Sequence, residues 1–293
     1  MVALPWPVKE ALHRNPRVWR WYSGLCRRLG WNESRLGWYT AKNGPYAGIS
    51  LKARHVNQLW IAAGIYEPAL THWLVRLLTE PHWGCVGRDV WDVGANIGTI
   101  SLLCAKHASG EIVCFEPLPD NRALMAEHFR ANSGLAPRLR IAPYAVADED
   151  GEIEFVGGGA GMEYQIVSDA VQPWKNRVGE LHSMIVQKTR LDSFLAREAT
   201  AAPGLLKIDI EGAETLALKG AHALLRSHRP VVLLEVHNRQ ASHDCVELLT
   251  NAGYTISQIE GKRLQPLRDP LPEYGHVLAV AARPAAEIET AGL

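Results

Sequence analysis

Cysteine is scarce in this chain of 293 residues: Cys26, Cys85, Cys104, Cys114 and Cys245 are five in all, an odd number with no C-x-x-C pair. That excludes a disulfide framework and a zinc ribbon, and it suits a reducing, cytoplasmic compartment. No run of about 18 apolar residues occurs, so no membrane-spanning helix is expected. The opening MVALPWPVKEALHR lacks a basic stretch followed by an apolar run, so it does not read as a secretory signal. Net charge is also missing, with 31 Lys and Arg against 31 Asp and Glu. A neutral chain offers no general field for nucleic acid or acidic lipid. There is no internal repeat and no low-complexity tract, and 47% hydrophobic with 21% charged residues excludes disorder.

The neutrality conceals a division. Residues 1–60 hold ten Lys and Arg against Glu10 and Glu33, which gives +8 and leaves −8 for the remainder. Six of the ten Trp fall in the same stretch, with Trp19, Trp21, Trp31 and Trp38 interleaved among Arg17, Arg20, Arg27, Arg28 and Arg35. A helix pair with Trp inside and Arg outside would account for this. So would aromatic faces that stack on a sugar or lie at a membrane interface while Arg holds the phosphate of a nucleotide-linked or lipid-linked acceptor. The expected division is therefore 1–64 as an extension for acceptor binding or oligomerisation, 65–283 as the main domain, and 284–293 as a tail.

From about residue 65 strand-like runs alternate with helical ones. Leu70, Trp73, Leu74, Leu77 and Leu78 fall on one face of a helix opened by Pro68. Strands are expected at 89–93, 112–115, 139–146, 205–210 and 231–236, with helices between them, and a closing antiparallel pair at 254–259 and 276–282. Repeated β-α-β units predict a mostly parallel α/β sheet with helices on both faces. Ligands of such sheets bind beyond the carboxyl ends of the strands, where Asp92, Glu116, Asp209 with Glu211, and Glu235 with His237 are all expected.

The segment W-D-V-G-A-N-I-G (Trp91–Gly98) places Gly94 in the tight turn after a strand and Gly98 where the next helix packs close. Asp92 would repel a pyrophosphate but suits a ligand with an ammonium and a sulfonium, such as S-adenosylmethionine. Asn96 replaces the middle glycine of the dinucleotide pattern, a second departure from nicotinamide binding. Glu116, in V-C-F-E-P, ends the following strand where an acid accepts hydrogen bonds from both ribose hydroxyls, and Pro117 stops that strand.

DVGANIG, CFEP, L-K-I-D-I-E-G-A-E (Leu206–Glu214) and L-E-V-H (Leu234–His237) together resemble the FkbM family of S-adenosylmethionine-dependent methyltransferases. Y-E-P at 66–68 and T-R-L-D-S-F-L at 189–195 resemble that family's spacers, and the likeness runs from about residue 60 to 283. It implies a class I methyltransferase (Rossmann-like) sheet of seven strands with the last antiparallel, and O-methylation of sugars or natural products. The cofactor contacts expected on this reading are Glu67, Asp92, Gly94, Asn96, Gly98, Glu116, Pro117, Val146 and Asp209.

Methyl transfer to a hydroxyl needs alignment and a proton acceptor. His237 is the favoured base because an unperturbed imidazole titrates near neutral pH; Asp209 is the second choice, and Glu211 belongs to the same group. Asp209, Glu235 and His237 would also suit Mg or Mn, although the same groups satisfy a metal-free mechanism. An ion network in which Lys207 pairs with a neighbouring acid would serve structure alone. The Gly-rich run 157–161 reads as a mobile loop near the substrate or a hairpin tip. The competing functions are methylation of RNA or protein through the basic N-terminus, and a non-catalytic scaffold of the same fold; nucleic acid is the less suited partner for a neutral chain.

Overall fold

The computed structural model describes residues 36–54, 66–157, 164–166, 182–198, 200–268, 271 and 274–281. Most of the Trp/Arg-rich stretch, including Trp19, Trp21 and Trp31, lies outside them. The chain divides into two compact units, Met1–Glu67 and Pro68–Leu293. In the first, strands β1 (Leu36–Thr40) and β2 (Ser50–Arg54) form an antiparallel pair in the register Leu36↔Arg54 to Thr40↔Ser50. Ala41, Tyr46, Ile49 and Leu51 are buried, whereas Trp38 is exposed.

The second unit opens with helix α1 (Pro68–Thr79), which buries the expected stripe Leu70, Trp73, Leu74, Leu77 and Leu78. There follow β3 (Val90–Val93), α2 (Thr99–His107), β4 (Ile112–Phe115), α3 (Pro119–Ala131) and β5 (Leu139–Ala142). Strands β6 (Ala145–Val146), β7 (Gly151–Gly157), β8 (Tyr164–Ile166) and β9 (His182–Thr189) come next. Helix α4 (Leu191–Arg197) then leads to β10 (Leu205–Ile208), α5 (Glu214–Lys219) and β11 (Val231–Val236). The described chain closes with α6 (Arg239–Asn251), β12 (Tyr254–Glu260), β13 (Arg263–Pro266) and β14 (Gly275–Ala281).

The main sheet has the order β13-β12-β14-β11-β10-β3-β4-β5. Strands β11, β10, β3, β4 and β5 run parallel, and β14 is antiparallel to both β11 and β12. The chain moves outward from β3 through β4 to β5, then returns to place β10 on the other side of β3. Loops leaving β3 and β10 therefore diverge and open a crevice at the carboxyl ends of these two strands. Every residue of β3, β4, β10 and β11 is buried, as parallel strands covered on both faces require. On one face Phe194 of α4 meets Trp91 and Phe115 edge to face, with ring centroids 5.4 and 4.7 Å away, and Leu218 and Leu249 extend the same core. On the other face Ser101 of α2 reaches Asp92.

This is the expected class of fold, with eight strands in place of seven. The additional strand is β13. It is joined to β12 by the two residues Gly261 and Lys262, with Glu260 paired to Arg263, and Gly261 has the positive φ of +60° that so tight a turn demands. Two other expectations are corrected. The strand expected over 139–146 is two strands: β5 stays in the main sheet, and β6 belongs to a second sheet of order β6-β9-β7-β8. The single helix expected between the strands at 205–210 and 231–236 breaks after Lys219, at Gly220, where a Cβ would lie 2.0 Å from the carbonyl oxygen of Ala147.

The second sheet was not expected. Phe155 and Val186 from its strands cluster with Ala145, Leu118 beyond β4 and Ala213 beyond β10, so it packs on loops at the carboxyl edge of the main sheet. Residues 158–163 of the Gly-rich segment are outside the described residues, but the flanking strands pair Gly157 with Tyr164 in an antiparallel ladder. Cys85, Cys104, Cys114 and Cys245 are buried free thiols. No described helix is long and apolar enough to cross a membrane.

Candidate active site

The turn after β3 is built on three positive φ angles: Gly94 at +80°, Asn96 at +51° and Gly98 at +81°. A Cβ on Gly98 would stand 2.8 Å from Met125 and 2.9 Å from Phe129, so this glycine is what lets α2 approach α3. A Cβ on Gly94 would stand 1.9 Å from the backbone oxygen of Asp209. The amides of Gly94 and Ala95 both donate to the carbonyl of Phe115, which ties the turn to the end of β4.

Glu116 completes that tie. Its two carboxylate oxygens accept from the amides of Asn96 and Leu118, each at 2.9 Å. The side chain is buried, and burial outweighs these hydrogen bonds to push its carboxyl up to about 7. The Asn121 side chain also hydrogen-bonds this carboxylate, whose remaining acceptor capacity suits a ribose hydroxyl. The buried carboxylate and the cramped glycine turn fit an adenosyl ligand, and a phosphate would find an acid where it needs donors. The guanidinium of Arg122 holds the carbonyl of Pro117. Val146 is buried in the main core, and Glu67 belongs to the first unit, at φ +40° immediately before α1.

Asp92 differs from its expected role. It is wholly buried, it accepts from Ser101 Oγ at 2.6 Å, and Lys207 Nζ stands 3.0 Å from its other oxygen. The cause is register, since Lys207 is the direct partner of Asp92 across β10 and β3. Asp92 thus presents no open charge to a ligand's cations. The same ammonium donates to the Gly94 carbonyl at 3.1 Å and lies 3.4 Å from Asp209 Oδ2.

Asp209, Glu211, Glu235 and His237 converge. His237 Nε2 is 3.6 Å from Asp209, 3.9 Å from Glu211 and 3.9 Å from Glu235. Glu211 reaches this position from a left-handed turn, φ +54°, just past the end of β10. The other ring nitrogen, Nδ1, is 2.6 Å from Oε1 of Glu214, a fully buried acid that also accepts from the Gly212 amide. Burial by itself would lower the imidazole's pKa; the hydrogen bond and charge of Glu214, joined by Glu211 and Asp209, overcome it and raise it to about 9. These partners favour the protonated imidazole, which weighs against the part expected for His237 as the base. Asp209, a quarter exposed, has its carboxyl raised by burial even though Lys207 opposes this. Burial also works against ionisation of Glu235, but His276 at 3.3 Å, with His237 and Lys207, holds its carboxyl down to about 2.

Two members of the cluster were missed in the sequence. Glu214 lies in the quoted L-K-I-D-I-E-G-A-E run, where its neighbour Ala213 and the following helix bury it. His276 was assigned only to a strand, although that strand pairs it directly with Glu235.

Residues 92–256 match the profile of the Methyltransferase FkbM domain. Three curated proteins are similar over much of the same region. The hexuronic acid methyltransferase AglP of Haloferax volcanii is 29% identical over 180 residues, 61% of this chain and 67% of that protein. The 2-O-methyltransferase NoeI of Sinorhizobium fredii is 28% identical over 182 residues, 57% of this chain and 71% of that protein. The 31-O-demethyl-FK506 methyltransferase FkbM of Streptomyces tacrolimicus is 29% identical over 201 residues, 58% of this chain and 74% of that protein. With more than half its length in the domain, and with a Rossmann-like sheet whose switch point carries the acidic series, the chain belongs to the FkbM family of methyltransferases.

Proposed function

We propose that this enzyme methylates a hydroxyl on a sugar or a glycosylated small molecule, with Glu116 gripping the ribose of S-adenosylmethionine and Asp209 accepting the proton of the acceptor. The observation that carries the reading is the placement of Asp209. It stands at the topological switch point, against the glycine turn, with its charge balanced by Lys207 and His237. The names of the three relatives support acceptors of this chemistry. When bound, the cofactor supplies an electrophilic methyl group on a sulfonium. Asp209 would take the hydroxyl proton as the acceptor oxygen bonds to the methyl carbon and the carbon–sulfur bond breaks, its electron pair staying on sulfur as a neutral thioether; the positive charges of Lys207 and His237 would favour the ionised form of Asp209 until that moment. The free thiols suit a cytoplasmic setting.

The test is incubation of the purified protein with methyl-labelled S-adenosylmethionine and a panel of methyl glycosides, glycosylated macrolides and transfer RNA. Label in an alkali-stable ether on a glycoside supports the reading. Label in RNA alone, lost as salt rises, would replace it with the nucleic-acid alternative.

A second reading of the same side chains is favoured by one observation. His237 Nε2 makes no hydrogen bond, and ligand atoms of Asp209, Glu235 and His237 all lie within 4.8 Å of one another. Two carboxylates and an imidazole whose far nitrogen is fixed by Glu214 form a donor set of the Mg or Mn class.

A further inference from the structure

Large aromatic side chains that face solvent need no explanation when scattered over a surface. Tyr274 is 64% exposed, but it stands at a chemically defined place. It immediately precedes β14, whose first residues pair with the carboxyl end of β11 as Gly275↔Val236 and His276↔Glu235. Its ring meets the imidazole of His237 edge to face, with centroids 5.1 Å apart and planes at 86°. His237 in turn faces Asp209 and Glu211, whose side chains are 26% and 37% exposed. The outer rim of the reacting end is thus one aromatic plate beside two accessible carboxylates.

We infer that Tyr274 is the platform on which the acceptor's sugar ring stacks, and that this ring is an uncharged pyranose. A pyranose has an apolar face of C–H bonds and an edge of hydroxyls. The face suits an aromatic ring, whose amphipathic body tolerates partial exposure. The edge supplies donors, which suits Asp209 and Glu211, acceptors when ionised. A ring bearing its own carboxylate would bring a further negative charge to a rim whose neighbouring cations, Lys207 and His237, are already engaged by Asp92, Asp209 and Glu214, at a cost in a partly desolvated site. The hexuronic acid in the name of one relative carries such a carboxylate, so the acceptor expected here differs from it. Edge-to-face contact with a fixed His237 also sets the plate's tilt, so a stacked sugar is presented to Asp209 in a defined orientation.

The inference rests on the proposed sugar acceptor, and the experiment separates the two. The full-length protein is saturated with S-adenosylhomocysteine, which prevents turnover, and titrated with methyl β-glucopyranoside, methyl α-mannopyranoside, methyl α-fucopyranoside and glucuronate. Saturation-transfer NMR is read on the sugar C–H protons. Transfer to one face of at least one neutral pyranoside is expected. Tyr274→Ala should weaken that sugar about tenfold, Tyr274→Phe should hold it within about threefold, and both should keep the melting shift given by S-adenosylhomocysteine. Equal affinity in Tyr274→Ala overturns the platform, as does the absence of transfer from any neutral pyranoside. Tighter binding of glucuronate than of every neutral sugar overturns the choice of an uncharged ring. A parent protein that shows no melting shift with S-adenosylhomocysteine counts against the methyltransferase reading itself.

Discussion

Nδ1 of His237 and Oε1 of Glu214 are 2.6 Å apart, and Glu214 is sealed from solvent. The pair makes stability depend on alkaline pH. The folded imidazole titrates at about 9 against an ordinary value of 6.5. Its contribution is complete below pH 6.5 and is lost as the pH rises through 9. The upper bound is on the order of 3 kcal/mol. Urea unfolding at pH 6, 7.5 and 9.5 should show the decline in the parent, and Glu214→Gln should flatten it.

Turnover should separate the two candidate bases. Asp209→Asn is expected to lower kcat by about 10²-fold or more, since it removes the proton acceptor, while cofactor affinity changes by no more than a few-fold. His237→Gln should cost about tenfold, because it removes only a charge that steadies Asp209. A larger loss in His237→Gln would return the base to the imidazole. Exhaustive chelation bears on the second reading: activity lost to EDTA and restored by Mg or Mn favours the metal, and full activity after chelation removes it.

Cofactor binding should follow the ionisation of Glu116. Below its value of about 7 the carboxyl carries a proton and loses an acceptor for the ribose. The dissociation constant for S-adenosylmethionine should therefore rise as pH falls from 8 to 6, by up to about tenfold per unit at the acid end. In Glu116→Gln the profile should be flat and the affinity low throughout. Glu116→Ala should abolish most of the thermal shift given by the cofactor. Calorimetry across this range distinguishes these outcomes.

The buried ion pair of Lys207 and Asp92 calls for a double-mutant cycle. Lys207→Met leaves a carboxylate stranded in the sheet and should cost about 3–5 kcal/mol. Adding Asp92→Asn should recover most of that loss in urea denaturation, because no charge is then left without its partner.

Removing residues 1–35 should leave S-adenosylmethionine affinity within a few-fold, since the second unit contains the whole glycine turn and Glu116. If the basic stretch recruits acceptor, the Michaelis constant for the acceptor should rise; an unchanged constant would end that part of the proposal.

Four of the five parallel strands were legible as apolar runs with an acid at or near the carboxyl end, and in three of them a glycine or proline follows. The acids expected at the crevice are there for the same reason: strand ends in such a sheet share one edge. What they do was less legible, because it depends on partners across strands. Nothing near Asp92 in sequence marks Lys207, 115 positions later, as its neutralising partner. Nor does L-E-V-H reveal that Glu214 will fasten the imidazole and change its proton affinity. The second sheet had a local signal in G-E-I-E-F-V, where alternation leaves Phe155 buried and Glu154 exposed. The Gly261–Lys262 hairpin had one too. Helix α6 begins at Arg239, where the side chain of Asn238, a residue type suited to that place, caps it by accepting from the Ala241 amide.

The carbonyl of Asp209 occupies the space that a methyl group on residue 94 would fill. On the proposed reading, the turn beside the cofactor and the residue that accepts the proton are therefore in direct backbone contact. If Asp209 is the base, its height above a cofactor seated on this turn is governed by the packing of two backbones, and a bulkier residue at position 94 would displace the two together.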